Sequence, residues 1–149
     1  MSAYEHEAVT PVTPERVHEA LRRQGYAVKR FSPTVLSGAW DGNEFTVSLV
    51  GDESTVLQIR GTWHQKVAHR FSSELAQTVN DWNRDRIWPK AFTEPGAEGI
   101  DTHAEVCLDL SAGATDGQLA EALACGLGTG VQFFDALGNQ VGPTGPATP

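Results

Sequence analysis

Two hydrophobic rhythms alternate along this chain, one near the helical period and one at the strand period of two, and their order lays out the elements. Val17, Ala20 and Leu21 fall on one face by the i, i+3, i+4 rule. Thr13 is placed to cap that helix, Pro14 suits its first position and Glu15 favours its positive end, while Gly25 stops it. Strands follow, the first over Tyr26 to Phe31. Val35 to Trp40 and Glu44 to Val50 flank Asp41-Gly42-Asn43, a hairpin signal. Phe45, Val47 and Leu49 alternate with Thr46 and Ser48, and Leu57 and Ile59 alternate with Gln58 and Arg60 within a strand from Thr55 to Trp63. Connections this short require antiparallel pairing.

Helical spacing returns with Phe71, Leu75, Val79 and Trp82, which predicts a second helix from about His69 to Arg86. Pro89 turns the chain out of helix. A strand over Ile87 to Thr93, a turn over Glu94 to Gly99 and a strand over Asp101 to Leu110 make a second hairpin. The last helix opens at Thr115-Asp116 and carries Leu119, Leu123, Leu127, Val131, Phe133, Phe134 and Leu137. Gly126, Gly128 and Gly130 lie inside it, each costing about 1 kcal/mol relative to Ala. Because the apolar spacing continues past them, close packing or a bend is expected there and not a break. The order is α-β-β-β-β-α-β-β-α, an α+β domain with a mainly antiparallel sheet packed against helices. The division expected is an irregular lead-in over 1–12, a single domain over 13–137, and a disordered Gly/Pro-rich tail over 138–149.

Composition narrows the function more than it defines it. The chain has 149 residues, enough for one cored domain, and 40% of them are apolar. Its net charge of −8, from 11 basic and 19 acidic residues, disfavours nonspecific nucleic-acid or anionic-membrane binding. Cys107 and Cys125 make no disulfide framework and read as small, largely buried hydrophobes. No apolar run reaches membrane-spanning length, and the first residues lack a signal-peptide pattern, so a cytoplasmic location is expected.

The densest stretch is Val79 to Phe92, with two asparagines and two tryptophans at a helix-to-strand junction. Asn80-x-Trp82-Asn83, then Trp88-x-Lys90-Ala91-Phe92, then Ala104 to Leu110, then Gly113-x-Thr115 resemble the signature of the YbjN family, bacterial sensory transduction regulators. The resemblance spans roughly Phe71 to Leu137. It implies a fold similar to type III secretion chaperones, a twisted sheet with flanking helices, and a protein that pairs as a homodimer. It also makes Asn80, Trp82, Asn83, Trp88 and Lys90 a structural signature. From their chemistry, Trp82 is expected to pack in the core, and the amides of Asn80 and Asn83 to tie backbone groups at the helix end.

No reactive constellation accompanies that signature. There is no Gly-x-Ser-x-Gly elbow, no phosphate-binding glycine loop and no His-Glu-x-x-His. The histidines are scattered. His64 and His69 flank a turn, and His103 shares a strand face with Cys107 about 13 Å away, too far for a dyad. Glu105 and Asp109 read as the wet face of a strand, and that face can still hold a partner. Trp40 and Trp63, at strand ends, are further candidates for a partner surface because tryptophan is enriched at binding hot spots. The expectation is a noncatalytic regulatory or chaperone-like protein-binding module with no metal and no cofactor. The competing reading is a small-molecule sensor with a pocket between the sheet and the last helix.

Overall fold

The computed structural model describes residues 8–141. Three helices and six strands follow one another as α1 (Pro14–Arg23), β1 (Lys29–Ser32), β2 (Val35–Trp40), β3 (Asn43–Val50), β4 (Val56–Thr62), α2 (Ser72–Asp85), β5 (Lys90–Gly96), β6 (Gly99–Asp109) and α3 (Asp116–Val141). The strands form one antiparallel sheet in the order β1-β2-β3-β4-β6-β5. Helix α2 therefore carries the chain past the sheet, and the second hairpin returns with its later strand, β6, against β4.

Local chemistry accounts for the boundaries. The Thr13 hydroxyl accepts the Arg16 N–H at 3.2 Å, and Pro14 occupies the first helical position. Asp41 and Gly42 both sit at positive φ, 54° and 80°, the pair of left-handed residues that a two-residue hairpin turn requires. Asn43 is consequently a strand residue facing Trp40, not a turn residue. It is buried, and its side-chain amide oxygen accepts the His64 N–H at 2.9 Å. Residues His69–Phe71 form a 3₁₀ turn before α2. Arg86 is already extended, so Ile87, Trp88 and Pro89 form a connector and β5 begins three residues later than the pattern predicts.

Strand alternation sorts the sheet into two faces. Phe45, Val47, Leu49, Leu57, Ile59, Ala104 and Val106 are buried on one face, where Ile59 pairs with Val47 and with Val106. On this side the core takes in Leu21 of α1, Leu75 and Val79 of α2, and Leu119, Leu123, Leu127, Phe133 and Phe134 of α3. Tyr26, Trp40, Phe45, Phe134, Phe133 and Trp82 form a continuous run of ring contacts, with centroids 5.0–5.8 Å apart. Each pair adds about 0.5–1.5 kcal/mol beyond area burial.

Helix α3 passes through its glycines unbroken. A Cβ at Gly126 would meet Ile59, and one at Gly130 would lie 2.7 Å from the Phe45 ring, whereas Gly128 faces open space. Two of the three glycines thus let the helix backbone approach the sheet. The helix also runs on through Gly138 to Val141, past the point where a disordered tail was expected; residues 142–149 lie outside the described residues.

The lead-in is irregular but docked. Thr10 exchanges backbone hydrogen bonds with Ala114 at 3.0 and 3.3 Å, and Val12 is buried. The Arg16 guanidinium donates to the carbonyls of Thr10, Pro11 and Ala114 and to Asp116, all at 2.8–2.9 Å. Residues 1–7 of that segment lie outside the described residues.

The two kinds of glycine should respond oppositely to a methyl group. Gly128→Ala is expected to stabilise by about 1 kcal/mol through helix propensity. Gly130→Ala gains the same propensity but presses on a buried ring, for a net loss of about 1–3 kcal/mol. Urea denaturation of both variants checks this, and equal effects would contradict the close approach.

Candidate functional site

The junction singled out in the sequence is a clasp between α2 and β5. The Asn83 side-chain amide donates to the Ala91 carbonyl at 2.8 Å, and its oxygen accepts the Ala91 N–H at 2.9 Å. One planar side-chain amide thereby takes the place that a neighbouring strand's peptide group would fill. The Trp82 indole N–H donates to the Pro89 carbonyl at 3.2 Å, its ring stands edge-on to Phe133 at 5.0 Å, and the Arg86 guanidinium lies 4.2 Å over it. Trp82 is half-buried between α2 and α3. Asn80 is exposed on the outer side of α2 and is not part of the clasp.

The strand register explains why Asn83 suffices. Ala91, Thr93 and Pro95 point their backbone polar groups outward from the edge of the sheet, opposite Ala104, Thr102 and Ile100. Asn83 satisfies Ala91, and Pro95 has no N–H to offer. Of this row Thr93 presents an N–H that no described residue accepts. This is a blunted edge. The opposite edge, β1, is short and irregular in register, and its Phe31 is 81% exposed.

The second face of the sheet carries polar side chains and, among the described residues, no helix. Thr46, Arg60, Glu105 and Lys90 lie side by side across four strands. The next row is Thr62, His103 and Phe92. The Arg60 guanidinium lies 5.0 Å above the Phe92 ring, with the Lys90 ammonium 6.0 Å from it. His103 packs against Phe92 at 5.1 Å and is only 6% exposed. Its Nδ1 is hydrogen-bonded to the Thr62 hydroxyl at 2.9 Å, and its Nε2 faces Glu94 at 3.4 Å.

Several expectations need correction. Trp63 is 3% exposed and belongs to the core, and Trp40 is half-buried between Tyr26 and Phe45, with only part of its ring accessible. The exposed large apolar residues of this region are instead Ile87, 90% exposed, and Trp88, 38% exposed, in the connector ahead of Lys90. Glu105 lies half-buried on the polar face, and exposed Asp109 accepts the Ser111 N–H at 2.9 Å, closing the turn after β6. That hydrogen bond holds the Asp109 carboxyl below its ordinary range. Cys107 and Cys125 are both exposed, not buried. Cys107 belongs to the polar face, where its thiol donates to Glu105 at 3.3 Å. Partial burial, then the Glu105 carboxylate, push that thiol above its ordinary value.

The grouping of Thr62, Glu94, Asp101 and His103 was not foreseen. The signal was present in the turn: a hairpin closing at Gly96 and Gly99 sets Glu94 opposite Asp101, and His103 two residues further on the same face.

An α+β module results, with three helices on one face of an antiparallel sheet and the other face uncovered among the described residues. The chain belongs to the YbjN family, whose model, described as "Putative bacterial sensory transduction regulator", matches residues 13–139. Among solved structures it is similar to the E. coli protein described as "YbjN, a putative transcription regulator". That match has 14% identity and a TM-score of 0.71, and it covers 89% of this chain and 97% of that one. A likeness at this identity speaks for the fold alone. Comparison with curated proteins yields no match. No helix among the described residues is long and apolar enough to cross a membrane.

Two outcomes follow from this geometry. Asn83→Ala leaves the buried Ala91 backbone without its partner and should cost about 1–3 kcal/mol, read by chemical denaturation; an unchanged midpoint would contradict the clasp. Glu105→Gln removes an anion beside Cys107, which lowers the thiol pKa and enlarges the thiolate fraction at neutral pH. In a Cys125→Ser background, alkylation of Cys107 at pH 7 should therefore accelerate, and an unchanged rate would mean that the carboxylate has no influence.

Proposed function

We propose that this chain is a noncatalytic regulatory module that acts by binding protein, paired with a second copy of itself. The observation that carries the reading is the corner where α2 meets β5. Asn83, Arg84, Asp85, Arg86, Ile87 and Lys90 line a shallow concavity there, beside Trp88. An exposed aliphatic residue and a partly exposed indole, rimmed by Arg86 and Lys90, match the composition of interaction hot spots. The corner is basic on a chain of net charge −8, which suits a partner segment joining an apolar anchor to acidic residues.

The family's regulatory description supports the biological side of the reading. For a chain this acidic, regulation through protein contacts is physically easier than direct contact with nucleic acid. The small-molecule reading needs space between the sheet and α3. Ile59 against Gly126 and Phe45 against Gly130 fill that seam.

Light scattering on the 16.0 kDa chain should report a mass near twice that value. In native-cell extract, a defined partner should be retained by the wild-type chain and lost with the double variant Ile87→Ser/Trp88→Ala, with circular dichroism unchanged. A strict monomer, together with identical capture by both forms, would overturn the reading.

A further inference from the structure

The polar face holds a group of donors that protein binding does not use. We propose that Glu94, Asp101 and His103 form a binding site for a first-row divalent transition-metal ion of the Zn²⁺ class. Register brings them together, since Glu94 pairs with Asp101 across the β5–β6 hairpin and His103 follows Asp101 by two residues on the same face. One donor atom from each lies within 4.8 Å of the others. Around a tetrahedral ion with bonds near 2.0–2.1 Å, donors stand roughly 3.4 Å apart. Glu94 already stands 3.4 Å from His103 Nε2, so the remaining difference lies with Asp101 and is closed by rotamer changes of the two carboxylates, while His103 stays fixed.

His103 has the setting of a metal ligand. It is nearly buried, and its Nδ1 is held by the Thr62 hydroxyl at 2.9 Å. The ring is thereby oriented with Nε2 toward the carboxylates, the arrangement in which an outer partner positions a ligating imidazole. The Nε2 to Glu94 separation of 3.4 Å is too long for a strong hydrogen bond. Asp101 instead holds the Lys66 ammonium at 2.9 Å, so a cation already answers the negative potential of the group. A metal ion would compete with that ammonium. One imidazole with two carboxylates favours Zn²⁺, Ni²⁺ or Co²⁺ over the oxygen-seeking Ca²⁺ and Mg²⁺, and leaves a fourth position for water.

Calorimetric titration of the untagged full chain with Zn²⁺ in metal-free buffer is the test, with the visible absorption of added Co²⁺ as a second readout. One ion per chain is expected. Glu94→Gln, at an exposed position that the fold does not depend on, and His103→Gln should each weaken binding at least about tenfold. Thr62→Val should weaken it by about tenfold through the ring's lost orientation. Lys66→Met should tighten it by removing the competing cation, a response that a merely structural role for the group does not produce. His64→Ala and His69→Ala should leave it unchanged. No binding at millimolar Zn²⁺, or binding unmoved by Glu94→Gln and His103→Gln, would overturn the assignment.

Discussion

The two hydrogen bonds between the Asn83 amide and the Ala91 peptide are the constraint on which the second half of the molecule rests. A two-stranded hairpin has little stability by itself. Here β5 and β6 gain it from both sides, β6 by pairing with β4 and β5 by its clasp to α2. A helix cannot offer β5 a strand's backbone, because its own N–H and C=O groups are engaged within it. A side-chain amide at the helix end supplies both a donor and an acceptor in one plane. With Trp82 bound to the Pro89 carbonyl beside it, the helix end and strand start form one unit.

That unit also determines what remains free. Helices occupy the side of the sheet where Phe45, Ile59 and their neighbours point, and α3 comes close because Gly126 and Gly130 have no side chain. The run of rings from Tyr26 to Trp82 crosses from the first hairpin through α3 to α2, so the clasp is continuous with the core. On the other face, Arg60, Phe92, His103 and Glu105 pack among themselves, with no covering element among the described residues. One-sided burial of an antiparallel sheet is common, and its polar side is where partners or ions have access.

Much of this was legible in local pattern. Alternation marked the strands, Asp41-Gly42 marked the turn, and Thr13-Pro14 marked the first helix start, because each depends on neighbours in sequence. The asparagine and tryptophan pair at 82–83 was legible as a junction, although only one of the two asparagines takes part. The sheet order was not legible, since pairing of β6 with β4 joins segments far apart in the chain. Residue type alone suggests buried cysteines, but parity places both outside. Cys107 alternates with Val106 and Leu108 and must face away from them, and Cys125 falls between Leu123 and Leu127 on the opposite side of α3. Tryptophan burial likewise depends on tertiary neighbours. Trp63 lies beyond the last paired residue of β4, and its ring lies against α3 at Gly138.

Hydrogen exchange read at the Ala91 amide tests the central claim most directly. It lies on the outermost strand, where an open edge exchanges rapidly. With Asn83 standing in for a neighbouring strand, its protection should approach that of the Ala104 amide inside the sheet and exceed that of Thr93 on the same edge. Exchange at Ala91 as fast as at Thr93 would show that the helix does not hold the strand, and the account of this junction would fail.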